Sequence, residues 1–130
     1  MEIVKAGGLN PLLRLLQSPD HDSVYAAASC VSFLAAQHAN GSPIIEAGFL
    51  QPLVNLMSLK DNERPQSRAA RALRNLAGYP ENGQEIVNAG AVQSVKELVL
   101  KSPVKVQINM TGCIRYLSRS GMDRPFDCLL

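Results

Sequence analysis

Three stretches of this chain repeat one another. Residues 3–16 read IVKAGGLNPLLRLL, residues 44–57 read IIEAGFLQPLVNLM and residues 86–99 read IVNAGAVQSVKELV. The first two share seven positions and the second pair five, and the stretches open at Ile3, Ile44 and Ile86. A period of roughly 40 to 47 residues marks stacked helical units. A single such unit cannot bury its apolar face alone, so its neighbours must stack on it.

Each unit divides in the same way. A short apolar helix runs into Ala6-Gly7, Ala47-Gly48 or Ala89-Gly90. Glycine there can take positive φ, end the helix and turn the chain. A second helix follows, with Pro11 or Pro52 in its first turn, where a missing N–H costs little. Leu50, Leu53, Val54, Leu56 and Met57 keep a helical period within it. A polar loop (SPDHDS, KDNERP or KSP) leads to a third and longest helix, expected near 23–36, 65–77 and 103–118. The Asp20/Asp22 region and Ser102-Pro103 are helix-start signals. The expected architecture is all-α, with units near 3–43, 44–85 and 86–119 filling residues 1–119 and a non-repeat tail over 120–130.

Composition narrows the function classes. Hydrophobic residues make up 46% and charged residues 18%, which suits a folded domain rather than a disordered chain. A net charge of +2 is too small for a protein-wide nucleic-acid field. No apolar run reaches the roughly 18 residues of a spanning helix, and no secretory pattern opens the chain, so the expected compartment is the cytosol. Cys30, Cys113 and Cys128 show no zinc spacing, and Cys30 and Cys113 share the third-helix slot of Ala72, which reads as small core residues. His21 and His38 are expected in loops, with no acid or cysteine placed to complete a dyad. Asp20-His21-Asp22 is too short to cage calcium. The triplets at Asn40 and Asn109 match the glycosylation pattern by chance in a chain without a signal peptide. No catalytic set, cofactor site or metal site emerges, and a non-enzymatic role is expected.

The middle third helix carries the informative surface. Arg64, Arg68, Arg71 and Asn75 follow one another at steps of four, three and four positions. A helix advances about 100° per residue, so these steps return to nearly the same direction and the four side chains share one narrow stripe. Ala69, Ala72, Leu73 and Leu76 occupy the core-facing arc beside it. One repeat either side, the same row continues as Asp22, Ala26, Ser29 and Phe33, then as Lys105, Asn109, Gly112 and Tyr116. Arginine forks pair with carboxylates or phosphates in two-point geometry, and Phe33 and Tyr116 add aromatic contact surface. The alternative is a solvated helix face, its arginines steadied by Asp61 and Glu63.

The threefold pattern resembles the armadillo-repeat family over residues 3 to about 119. IIEAGFLQPLVNLMSLKDNE, LRNLAG and IVNAGAVQSVKELVL are most similar to its fungal vacuolar branch, the scaffolds of vacuole inheritance. That resemblance implies an armadillo-type right-handed helical solenoid of about three incomplete three-helix repeats. It implies a groove lined by the third helices, in which Asn75 would hold the backbone of an extended peptide. It implies a protein-binding adaptor or scaffold at the vacuole membrane, serving inheritance, organelle contact or autophagy. The tryptophan that import receptors of the family carry four residues before that asparagine is absent; Ser29, Arg71 and Gly112 stand there. A cationic import signal would be repelled by three arginines. The candidate groove residues are therefore Ser29, Phe33, Arg64, Arg68, Arg71, Asn75, Lys105, Asn109 and Tyr116, and the expected partners are acidic or phosphorylated extended segments of proteins. A cytosolic adaptor unrelated to vacuoles and a nucleic-acid binder using Arg64–Arg74 remain as alternatives. The vacuolar branch docks through an acylated N-terminal segment that Met1-Glu2 does not supply, and Cys128 lies third from the end, outside the prenylation pattern. The expectation is a fragment or truncated form, prone to self-association through apolar end faces.

Overall fold

The computed structural model describes residues 7–59 and 63–117. Among them lie eight α-helices and no strand: α1 (Leu9–Leu16), α2 (His21–Ala35), α3 (His38–Glu46), α4 (Leu50–Met57), α5 (Glu63–Ala77), α6 (Gly83–Asn88), α7 (Ala91–Leu98) and α8 (Val104–Leu117). Single 3-10 turns, Pro80–Asn82 and Val99–Lys101, lead into α6 and out of α7. The third helices α2, α5 and α8 stack side by side as one inner row, with α1 packed on α2 and α4 on α5. None of these helices is long and apolar enough to cross a membrane.

The glycine elbows follow from the sequence. Gly7, Gly48 and Gly90 have φ of +82°, +92° and +89°, and every described non-glycine residue keeps negative φ. At Gly48 and Gly90 the left-handed conformation reverses the chain between first and second helix, at a place where a Cβ would be strained. Asp20 caps α2: its carboxylate accepts from the Ser23 N–H at 3.3 Å and from the Ser23 hydroxyl at 2.6 Å. Those bonds hold the Asp20 carboxyl below its ordinary range.

The core is one continuous cluster of aliphatic and alanine side chains. Ala28 and Ala70 occupy one repeat register on adjacent third helices, and both are fully buried. Phe49, Leu53, Met57, Leu73, Leu76 and Ile86 are fully enclosed between layers. Ala69, Ala72, Leu73 and Leu76 are all buried, as the helical period requires.

Two details differ from the sequence reading, those of the histidines and of Cys30, and one at Asn40 adds to it. His21 and His38 are not loop residues; they are the first residues of α2 and α3. The side chain of His38 stacks on Tyr79 at 4.5 Å and pairs with Glu81, clipping the first unit to the second. That pairing lowers the Glu81 carboxyl pKa. Asn40 is buried because it has a structural job: its Nδ2 donates to the Leu34 carbonyl at 3.0 Å. One repeat later Asn82 donates to the Leu76 carbonyl at 2.9 Å. The two asparagines thus add a second donor to carbonyls in the last turns of α2 and α5, which also accept from the N–H of Gln37 and Tyr79. Finally, Cys113 is buried but Cys30 is only half-buried against the core. Asp61 and the tail 120–130 lie outside the described residues.

Candidate binding groove

Inter-repeat hydrogen bonds place the inner row. Arg68 donates to the Tyr25 hydroxyl at 3.2 Å, Asn75 to the Ser32 carbonyl at 2.9 Å, and the Tyr79 hydroxyl to the Ala36 carbonyl at 2.9 Å. Each joins residues 43 apart, one repeat plus one position. Side chains of the second unit therefore bond to the third-helix region of the first at three points, in addition to their apolar packing.

Two neighbouring depressions, each of about 430 Å³, open along the row. The first is lined by Tyr25, Arg64, Arg68, Arg71, Arg74, Ile108 and others; the second shares Arg74 and Ile108 and adds Val104, Gly112, Arg115 and Tyr116. Among the described residues lining the two, Glu63 is the one acid.

The arginines are not loose. The Arg64 guanidinium carbon lies 4.0 Å from the Tyr25 ring centroid and that of Arg68 at 5.6 Å, so one aromatic ring holds two cations. Arg68, bonded to the phenol oxygen, and then Arg64 pull the Tyr25 pKa down to about 8. Arg71 remains exposed at the lip. Arg74 is half-buried because its stem crosses α8 at Gly112, where a Cβ would stand 2.7 Å from Arg74 Cδ. Its fork donates to Asn75 Oδ1 at 3.3 Å.

The expected site residues are sorted by this geometry. Arg64, Arg68, Arg71 and Asn109 come together in the first depression, Asn109 as a nearly buried floor residue. Tyr116 lines the second. Phe33 is 68% exposed on α2 but lines neither depression. The Ser29 hydroxyl oxygen is sealed from solvent and cannot touch a partner. Asn75 faces the row, yet its amide already bonds Ser32 and Arg74, so a peptide backbone would compete with contacts inside the protein. The backbone of Lys105 lies in the first turn of α8, and its side chain is outside the described residues. No steadying ion pair between Glu63 and an arginine is found among the described residues.

Sequence reasoning missed Tyr25, Ile108 and Arg115. The signal was present. Tyr25, Ser67 and Ile108 occupy one repeat register and Ser32, Arg74 and Arg115 another, both adjacent to the stripe of Arg64, Arg68, Arg71 and Asn75. The surface of a helix row is wider than one stripe, and partners reach it from the neighbouring helix.

The chain matches the model for the armadillo/beta-catenin-like repeat over residues 1–36 and 42–78. It is 49% identical to "Vacuolar protein 8" of Yarrowia lipolytica over 119 residues, 91% of this chain and 21% of that protein. It is 41% identical to the protein of the same name in Saccharomyces cerevisiae over 125 residues, 95% of this chain and 22% of that one. The chain thus spans about one fifth of the length of these relatives. Among solved structures it is similar to a designed armadillo repeat protein in complex with the peptide (KR)4, with TM-score 0.82 and 25% identity over 95% of this chain and 57% of that one. It is likewise similar to a computationally designed armadillo repeat protein for modular peptide recognition, with TM-score 0.83 and 26% identity over 95% of this chain and 57% of that one.

Proposed function

The chain belongs to the armadillo/beta-catenin-like repeat family, and from that premise we propose that it is a non-catalytic adaptor whose inner row holds extended acidic or phosphorylated segments of partner proteins. The observation that carries the reading is the wall of Arg64, Arg68, Arg71, Arg74 and Arg115 along α5 and α8, in which Tyr25 holds Arg64 and Arg68 and the gap at Gly112 receives Arg74. Guanidinium groups already ordered on an aromatic ring lose little further freedom when they clamp a carboxylate or phosphate. The designed neighbour accepts a basic peptide, (KR)4. The same scaffold here carries positive charge on its wall, which supports an acidic partner.

The relatives named Vacuolar protein 8 support a place at the vacuole membrane, with a scaffolding role in vacuole inheritance, organelle contact or autophagy. Imaging of the tagged full-length protein tests that assignment, and a signal with no vacuolar component would remove it.

The groove is tested by titrating a fluorescent glutamate-rich peptide and a phosphoserine peptide against wild type, Arg71→Glu and Arg14→Glu. A charge-assisted contact contributes about 1–3 kcal/mol, so Arg71→Glu should weaken binding by more than about tenfold, and added salt should weaken wild type. Arg14 is exposed on α1 and serves as control. Equal affinities for the two variants would make the wall a solvated face. Tighter capture of single-stranded RNA than of either peptide would favour the nucleic-acid reading instead.

A further inference from the structure

The two depressions differ in chemistry. The first is walled by guanidinium groups, whereas the second brings Val104 and Ile108 against Arg115 and Tyr116. Ile108 is 60% exposed and Val104 70% exposed, one helical turn apart on α8. Ile108 stands in the register filled by Tyr25 and Ser67 in the two preceding third helices, and all three line the first depression together. The aliphatic pair thus lies on the groove wall, not on the back of the helix.

Between the depressions, Arg74 and Ile108 form a divider shared by both. Its position depends on Gly112. At the equivalent positions of the other third helices stand Ser29 and Arg71. A side chain at 112 would displace the Arg74 stem, which approaches the missing Cβ at 2.7 and 3.0 Å. With none there, Arg74 lies flat across α8, its carbon stem beside the aliphatic pair and its charge at the groove.

We propose, resting on the groove reading above, that the bound segment is an extended polypeptide in which one apolar side chain lies between two acidic ones. One acid meets Arg68 and Arg71, the apolar side chain covers Ile108 and Val104, and the second acid meets Arg74 and Arg115. In an extended chain alternate residues share a face about 6.6 Å apart, so the three occupy positions i, i+2 and i+4. Charge alone would accept any polyanion, and the apolar step is what makes the site selective among acidic segments. Gly112 is a positioning residue, acting through Arg74.

The test uses two labelled peptides that differ at their centre, glutamate–serine–leucine–serine–glutamate and the same sequence with serine for leucine. Partial burial of the leucine side chain should make the first bind wild type about tenfold tighter. Ile108→Ser, at an exposed position that leaves the core intact, should bring the two peptides to equal affinity, and Arg14→Glu should keep the preference. Gly112→Ala moves only the flexible Arg74 stem, so it should fold normally and weaken both peptides severalfold. Equal binding of the two peptides to wild type would overturn the proposal, as would a leucine preference that survives Ile108→Ser. Those outcomes leave the acidic groove standing. Failure of both peptides to bind, or binding insensitive to Arg71→Glu, would overturn the groove reading itself and this inference with it.

Discussion

Substitution of Gly48 isolates the backbone requirement on which the repeat depends. Its φ of +92° lies where an L residue is strained, and a Cβ built there meets no atom within 4 Å. Any loss on Gly48→Ala therefore reports conformation and not collision. The left-handed backbone costs an alanine about 1–2 kcal/mol. The stiffer unfolded chain returns about 0.4–1 kcal/mol of this, which leaves a net loss of about 1 kcal/mol. For a chain of this size that corresponds to a fall in Tm of about 4 °C. Asparagine tolerates the left-handed region, so Gly48→Asn should lose about half as much, and β-branched Gly48→Val should lose more than alanine. Thermal melts followed by circular dichroism, with urea titrations in parallel, rank the three. The reasoning is refuted if asparagine costs as much as alanine, or if alanine leaves Tm unchanged.

Other expectations concern single side chains. Asn82→Ala takes the 2.9 Å donor from the Leu76 carbonyl, which keeps the Tyr79 N–H at 3.3 Å, and should cost about 0.5–1.5 kcal/mol in a urea titration; a change within error would show that the Tyr79 bond suffices. Tyr25 should ionise near pH 8, about two units before an ordinary tyrosine, so near-ultraviolet tyrosinate absorbance should show an early step that Tyr25→Phe removes. Between pH 8 and 10 the unfolded chain still holds that proton, so wild type should gain stability over Tyr25→Phe across this window and lose the gain as pH falls through 8. An early step that persists in Tyr25→Phe would exclude the arginine clamp. Burial pushes the Cys113 thiol up to about 12, so in a Cys128→Ser background Ellman's reagent should modify half-buried Cys30 first and reach Cys113 only after denaturation.

Much of the inner row was legible because a helix repeats its faces at a constant angle. The arc from Ala69 to Leu76 is buried and Arg64, Arg68 and Arg71 line a single depression, as their spacing requires. The helix starts were less legible. Asp20 and Asp22 both carry a capping side chain, and the bonds from Ser23 choose Asp20, which moves His21 into the helix. Ser29 misleads for a related reason: the residue is polar by type and lies in register with Arg71, yet its hydroxyl is sealed from solvent. A helical wheel gives direction but not depth.

The amino-acid sequence by itself determined the repeat, the three glycine elbows and the apolar faces that must stack, because these depend on local backbone preference and on a period that any single unit displays. What each polar side chain meets was decided by the tertiary structure. The amide of Asn75 is engaged by Ser32, Tyr25 gathers two arginines, and the space left at Gly112 receives Arg74. All three contacts cross between helices one repeat apart, and their partners follow from how far one helix is rotated and shifted against the next. That offset arises where the third helices pack through buried small residues such as Ala28 and Ala70, and it exists only once the helices are in place.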